Sequence, residues 1–270
     1  MVCGRRPVTE ALRAGRPVHK LWVAWGIGTR QEGIAGLLEL ARQRHVPVEE
    51  VSRERLDELA GDHHQGVAAW VTPRPYLALE QLLDQVSAAL AGQRTRGNLP
   101  QARERLGVPW PPLVLALDEV QDPRNLGALL RTAEAAGVDA VLIPEHRSVG
   151  LTGAVAKTAA GAQEWLPVAR VGSLTYALDQ LKQAGLWVVG TAGEASQVVY
   201  DTDLSGPLVL VIGSEGSGLR QTVAARCDAV VRLPMLGHVE SLNASVAGGV
   251  FLYEVVRQRL SRRNLHRQSG

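Results

Sequence analysis

The chain has 270 residues, 46% apolar and 21% charged, with a formal net charge of only +2. That balance excludes an intrinsically disordered chain and leaves room for two domains of ordinary size. No apolar run reaches the length of a membrane span and the N-terminus lacks a signal-peptide core, so the expectation is a cytoplasmic protein without a membrane partner.

In chain order, the first 73 residues alternate helix and strand. The pattern predicts a helix over Pro7–Arg13, a strand over Lys20–Ala24 and a helix over Ala35–Arg44 with Leu37, Leu38 and Ala41 on one face. An extended Val46–Val51, a helix Arg53–Ala60 and a strand Val67–Val71 complete a small α/β unit. Thr72-Pro-Arg-Pro75 marks its exit. Residues 74–112 read as a connection: an amphipathic helix with Leu79, Leu82, Leu83 and Val86 on one face, then a Gly-, Pro- and Arg-rich linker over Gly92–Pro112.

Residues 113–270 form the second unit, with apolar strands near Leu113, Ala140, Trp165, Trp187, Leu208 and Val230 and helices between most of them. Continuous apolar runs such as Leu113–Leu117 and Leu208–Ile212 are what a parallel sheet with helices on both faces requires. Three loops follow strands in this unit. Asp118-Glu-Val-Gln-Asp-Pro-Arg-Asn125 leads into a helix from Leu126 to Ala136, stopped by Gly137. Gly213-Ser-Glu-Gly-Ser-Gly218 precedes a helix expected near Leu219. After the strand Ala229–Arg232, Leu233-Pro-Met-Leu-Gly-His-Val-Glu-Ser-Leu-Asn243 is broken by Pro234 and Gly237. It then opens a helix at Ser241, an N-cap residue type, that is apolar through Val246, Val250, Phe251 and Leu252. Polar side chains and free helix-start N–H groups therefore collect in one place, as a site for a small polar ligand needs.

These segments, Asp122-Pro-Arg-Asn-Leu-Gly-Ala-Leu-Leu-Arg-Thr-Ala133, Ile212–Leu219 and Leu233–Asn243, resemble in order the motifs of the SpoU/TrmH family of RNA ribose 2′-O-methyltransferases, in the SPOUT superfamily. The resemblance covers about Leu113 to Arg259. It implies an α/β fold: a C-terminal SPOUT domain tied in a trefoil knot that gathers the loops after Gly190, Ile212 and Leu233. Gly4–Leu12 and His64-Gln-Gly-Val-Ala68 resemble the family's N-terminal substrate-binding domain, similar to ribosomal protein L30e. The layout is most similar to family members that methylate a guanosine of 23S rRNA in the peptidyl-transferase P loop. Asp118–Asn125, Val189–Ala195 and Ser241–Ala247 carry that likeness. Adenosine-specific rRNA members, tRNA members and a non-catalytic rRNA-binding assembly protein are the alternatives.

The resemblance implies S-adenosylmethionine as cofactor, contacted at Thr191, Ala192, Gly193, Gly213, Glu215, Gly216, Leu233, Met235 and Leu242, and no metal. Gly213 would admit the ligand to the backbone, and Leu233 and Leu242 would wall it. The G-x-x-G-x-G order of the second loop argues against dinucleotide binding, whose fingerprint is G-x-G-x-x-G. Carried over by motif, the catalytic residues are Asn125, Arg131, Glu215, Ser241 and Asn243. A guanidinium stays protonated, so Arg131 is expected to hold the phosphate beside the target ribose and stabilise charge on the 2′-oxygen. The family resemblance further implies a homodimer with each site near the subunit interface.

Other residues carry weaker expectations. Arg94, Arg96, Arg103 and Arg105, and the tail Arg257, Arg259, Arg262, Arg263 and Arg267, suit phosphate contacts or a solvated surface. Trp22, Trp25 and Trp70 read as core rather than as stacking platforms, and His63 and His64 as a surface pair. Glu240 and Glu254 read as structural. Cys3 and Cys227 have no zinc-site spacing, and Cys227 reads as a small buried apolar residue.

Overall fold

The computed structural model describes residues 1–27, 33–61, 63–92, 110–216 and 218–268, with side chains to residue 262. The basic insert at Arg94, Arg96, Arg103 and Arg105 and the side chains of Arg263 and Arg267 lie outside the described residues.

The N-terminal unit is a four-stranded mixed sheet in the order β1-β4-β2-β3, formed by β1 (Val2–Cys3), β2 (Val18–Ala24), β3 (Val48–Val51) and β4 (Val67–Val71). Helices α1 (Arg5–Arg13) and α2 (Ile34–Gln43) cover one face and α3 (Arg53–Ala60) the other. The side chains of β4 alternate accordingly. Val67, Ala69 and Val71 enter the α1/α2 core, while Ala68 packs beneath α3 with Leu56. Short α3 does not reach the next position on that face, so Trp70 is 57% exposed. Trp25, in the turn after β2, is 66% exposed. Neither is a core residue. Trp22 is half-buried, donating through Nε1 to Glu49 (2.9 Å) with the Lys20 ammonium over its ring. His64 is not a surface residue: it is 4% exposed. Its Nδ1 accepts from the Gly66 N–H (2.8 Å), which places the ring proton on Nε2, facing Asp57 at 2.9 Å.

The amphipathic helix is α4 (Leu79–Leu90), and its buried Leu82 and Val86 belong to a core cluster of the C-terminal sheet. That sheet has seven strands, all parallel where paired: β5 (Leu113–Leu117), β6 (Ala140–Pro144), β7 (Val168–Val171), β8 (Trp187–Thr191), β9 (Gln197–Val198), β10 (Leu208–Ile212) and β11 (Ala229–Arg232). The order is β7-β6-β5-β10-β8-β11-β9, so late strand β10 is inserted between β5 and β8. Helices α5 (Pro123–Ala135), α6 (Gly153–Thr158), α7 (Leu174–Gln183), the short α8 (Gln221–Ala224) and α9 (Ala244–Gln268) complete the domain. Successive residues of β5 divide between two cores. Leu113, Leu115 and Leu117 pack with α5 and α9, whereas Val114 and Ala116 pack with α4 and α7. Two covered faces explain the continuous apolar runs. Each fully buried leucine contributes roughly 1.5–3 kcal/mol.

The third strand starts at Val168, not near Trp165. Trp165 closes a 3-10 turn over Ala162–Glu164, is 50% exposed, and donates from Nε1 to Glu10 of α1 at 2.9 Å. Its apolar signal thus marks domain packing, not the sheet. The same turn carries the main polar lock between the domains. Buried Glu164 pairs with Arg16 at 2.6 Å and with Arg74 at 3.7 Å. Gly161, at φ +93°, makes the close approach possible, since a Cβ there would lie 2.6 Å from Glu10 Cβ.

Candidate functional site

In a parallel sheet, ligands gather at the C-terminal strand ends, and here β5, β10, β8 and β11 are neighbours in that order. Their following loops are therefore contiguous. The first is capped by Asp122, whose carboxylate accepts from the Arg124 N–H at 2.9 Å, with Pro123 at the first helical position. This cap sets Asn125 in the first turn of α5, buried at 8% exposure.

Three of the expected catalytic residues meet. Asn125 Nδ2 donates to Glu215 Oε2 at 3.1 Å. Asn243 Nδ2 reaches Asn125 Oδ1 at 2.9 Å and Glu215 Oε2 at 3.1 Å. The second carboxylate oxygen of exposed Glu215 carries no hydrogen bond among the described residues, so it is open to an outside donor. Asn243 Oδ1 accepts from the Ser245 N–H (3.0 Å) and Oγ (2.6 Å).

Those last bonds correct the expected helix start. Helix α9 begins at Ala244 and is capped by Asn243; Ser241 is exposed, two residues before the cap, with no hydrogen bond to the cluster. On α9, Phe251 and Leu252 are buried but Val246 and Val250 are 53% and 38% exposed. Arg131 is also apart from the cluster. Six residues beyond Asn125, a helix has risen about 9 Å and turned away from the starting face. Arg131 instead lines a cleft of about 1480 Å³ between the domains.

The second loop is tightly folded. Ser214 and Gly218 exchange backbone hydrogen bonds at 3.0 Å in both directions. A Cβ on Gly213 would lie 2.2 Å from the Gly218 carbonyl carbon, so the missing side chain lets the loop close on itself. Sequence reasoning missed what anchors this loop. Asp118, fully buried at the end of β5, accepts from the Arg220 N–H (2.9 Å) and Nε (2.7 Å) and pairs with its guanidinium at 2.6 Å. The hydrogen bond to Asp118 raises the Arg220 pKa above its ordinary value. A buried aspartate one residue beyond an apolar strand was the available signal.

At the end of β8, Thr191 is buried, with Oγ1 donating to the Val211 carbonyl (3.1 Å), and the Ala192 N–H donates to Val231 (3.0 Å). Both residues secure strands. Gly193 has open space around it and Gly216 is exposed. Leu233 packs partly on the main core, Met235 is half-buried, and Leu242 is 38% exposed.

The tail arginines are largely engaged in the fold. Arg257 pairs with Glu254 at 2.7 Å and Arg262 with Asp203 at 2.6 Å. Buried Arg259 donates to the carbonyls of Pro111, Pro112 and Gly206 and lies over Trp110. Glu254 is structural as expected, and Cys227 packs against the α4/α7 core.

The parallel sheet and its interleaved strand order define an α/β domain with an Asn–Glu–Asn cluster at the strand ends. Residues 112–253 match the SpoU rRNA methylase family and residues 1–77 the RNA 2′-O ribose methyltransferase substrate-binding family. The chain belongs to the SpoU family. It is 44% identical, over 91% of each chain, to the 23S rRNA (guanosine-2′-O-)-methyltransferase RlmB of Pseudomonas putida. Identity is 45% to the enzyme of the same name from Pseudomonas aeruginosa, over 93% of each chain. Among solved structures, it is similar to the SpoU methyltransferase AviRb of Streptomyces viridochromogenes in complex with the cofactor AdoMet. That match has a TM-score of 0.73 and 27% identity, and covers 96% of this chain and 90% of the other.

Proposed function

We propose that this protein is an S-adenosylmethionine-dependent RNA ribose 2′-O-methyltransferase acting on a guanosine of 23S rRNA, in the peptidyl-transferase P loop. The observation that carries the reading is the Asn125–Glu215–Asn243 cluster at the strand ends, in a chain of this family. When bound, the cofactor supplies an electrophilic methyl group on a sulfonium. The chain's part is to align a hydroxyl with it, and alignment alone can contribute roughly 7–11 kcal/mol.

Gly193 and Gly216 offer backbone, and Leu233, Met235 and Leu242 an apolar wall, for the cofactor. Glu215, fixed by two amides on one oxygen, presents its other oxygen to the ligand. Arg131 holds the substrate phosphate through its guanidinium fork. Ser241 is free to meet substrate.

The single chain leaves this wall uncovered. Leu236 is 97% exposed and Val239 64%; on α9, Val246, Val250 and Tyr253 form an exposed apolar stripe at i, i+4, i+7 spacing. A second copy of the chain covers this surface and completes the site. Val250→Asp is expected to yield a monomer in sedimentation velocity; a persistent dimer would refute this use of α9. The same reading includes a trefoil knot in the C-terminal domain and a cytoplasmic location; no helix among the described residues is long and apolar enough to cross a membrane.

The test is methyl transfer from radiolabelled S-adenosylmethionine into separated 23S, 16S and tRNA fractions lacking native methylation, with mapping of the labelled nucleotide. Label at a ribose of a 23S guanosine is the expected result. Label in tRNA or at an adenosine would overturn the substrate assignment. No label, with cofactor bound, would make this an rRNA-binding assembly protein.

A further inference from the structure

We infer that the cleft between the two domains is a seat for unpaired RNA, in which Trp25 and Trp165 stack on splayed bases while Arg6, Arg53, Lys157 and Arg131 follow the phosphates. The inference rests on the reading of the substrate as RNA and adds how that RNA is held.

The cleft encloses about 1480 Å³, more than the roughly 300–1,000 Å³ of a small-molecule pocket. Both domains contribute to its lining: Arg6, Trp25 and Arg53 from the first, Arg131, Lys157 and Trp165 from the second. Among the described residues none of the four cations makes an ion pair. The carboxylates on the same wall are Glu10 and Glu134. Glu10 is engaged by Arg13 at 2.9 Å and by the Trp165 indole. Burial, with Glu10 nearby, raises the Glu134 pKa, which weakens its opposition to a polyanion. Surplus positive charge therefore faces the cleft.

The aromatic pair makes the assignment specific to unpaired strands. Trp25 is 66% exposed and Trp165 50%, so part of each ring is open to a partner in the cleft. Bases inside a duplex offer no free π-face, whereas unpaired ones stack on such rings. Trp165 is pre-set by its bond to Glu10. Arg131 lies at the catalytic-domain end of this track, so it delivers the substrate strand toward the strand-end cluster.

The experiment is fluorescence anisotropy of the full chain with a short fluorescein-labelled unpaired RNA and with the same sequence in a duplex. Trp25→Ala, at an exposed turn position, is expected to weaken binding of the unpaired RNA roughly 5- to 100-fold, with Trp25→Phe recovering most of it. Lys157→Ala is expected to lower the slope of log Kd against log salt by about 0.7, one phosphate on a single strand. Calorimetric S-adenosylmethionine binding and thermal stability of Trp25→Ala should match the parent. Equal affinity for duplex and unpaired RNA, or an unchanged affinity in Trp25→Ala, would overturn the inference. If the parent methylates rRNA and Trp25→Ala does so with the parent KM, the stacking seat fails and the enzymatic reading stands. If the parent methylates no RNA yet loses oligonucleotide binding in Trp25→Ala, the enzymatic reading fails and the seat stands.

Discussion

Substituting Asp118→Asn tests whether the anchor of the second loop positions the site. The parent carboxylate is fully buried and takes three contacts from Arg220, at 2.9, 2.7 and 2.6 Å. Hydrogen bonds to charged groups contribute about 1.5–3 kcal/mol each. Asparagine keeps the shape and one acceptor but turns an N–H donor toward other donors. Against that, the Arg220 side chain is 38% exposed and keeps Glu119 at 3.4 Å, so water and a second carboxylate recover part of the loss. The net expected cost is about 2 kcal/mol, read by calorimetry as a Tm lower by about 4–8 °C. The functional effect should be larger. Glu215 sits between Gly213 and Arg220, and a displacement of about 1 Å in a catalytic group can lower a rate on the order of 100-fold. The expected outcome is a fall in kcat of roughly that size with RNA affinity unchanged. Arg220→Ala should produce the same fall, and the double variant should add little to either single change. Unchanged kcat in Asp118→Asn, with the expected drop in Tm, would show that the pair stabilises the fold without positioning the loop.

Glu164→Gln should loosen the domains. Arg16 and Arg74, 12% and 30% exposed, lose their counter-charge; breaking a buried pair costs about 3–5 kcal/mol, and the exposure of Arg74 favours the lower figure. Urea unfolding and the KM for RNA report it, and a cost under about 1 kcal/mol would refute the lock. Asn243→Ala should remove both a helix cap, about 1 kcal/mol, and a member of the cluster, abolishing transfer; Ser241→Ala should leave Tm within noise. A matching loss of Tm in Ser241→Ala would return the cap to Ser241. Burial, reinforced by Asp228, pushes the Cys227 thiol up to about 11, and burial raises that of Cys3. At pH 8 only about one thousandth of Cys227 is then thiolate. A disulfide reagent should label it slowly in the native protein and fully after denaturation; rapid native labelling would contradict the raised pKa of this half-buried thiol.

The sheet was legible where strands are covered on both faces, because five consecutive apolar residues admit few other readings. It failed at Trp165, where an aromatic belongs to the domain interface, and at β1 and β9, each too short to show a period. The tryptophans of the first domain misled for two reasons: Trp70 lies in a strand but beyond the cover of α3, and Trp25 lies in the turn after β2 rather than in the strand. In the site, Asn125, Glu215 and Asn243 were nameable from motif order alone. That Asn243, not Ser241, caps α9 depends on the path of the preceding loop. At Gly213 the sequence shows that a side chain is missing but not that the Gly218 backbone needs the space.

The separation of Arg131 from the Asn–Glu–Asn cluster is best understood through α5, which carries both Asn125 and Arg131. This helix is held closely on two sides. A Cβ on Gly127 would lie 2.5 Å from Thr158 Cβ and 3.0 Å from the Ala159 nitrogen, and one on Gly248 of α9 would lie 2.4 Å from Leu129 Cδ2. Backbone contact of that kind leaves little room for the helix to slide or turn. Its first turn is therefore registered against the strand-end loops while its later turns are registered against the interdomain cleft. On the proposed assignment, the cofactor and RNA surfaces share few side chains and are joined by this one element. That assignment predicts that Glu215 and Trp25 substitutions each weaken binding of one partner alone, whereas a change that shifts α5 lowers the transfer rate with both affinities kept.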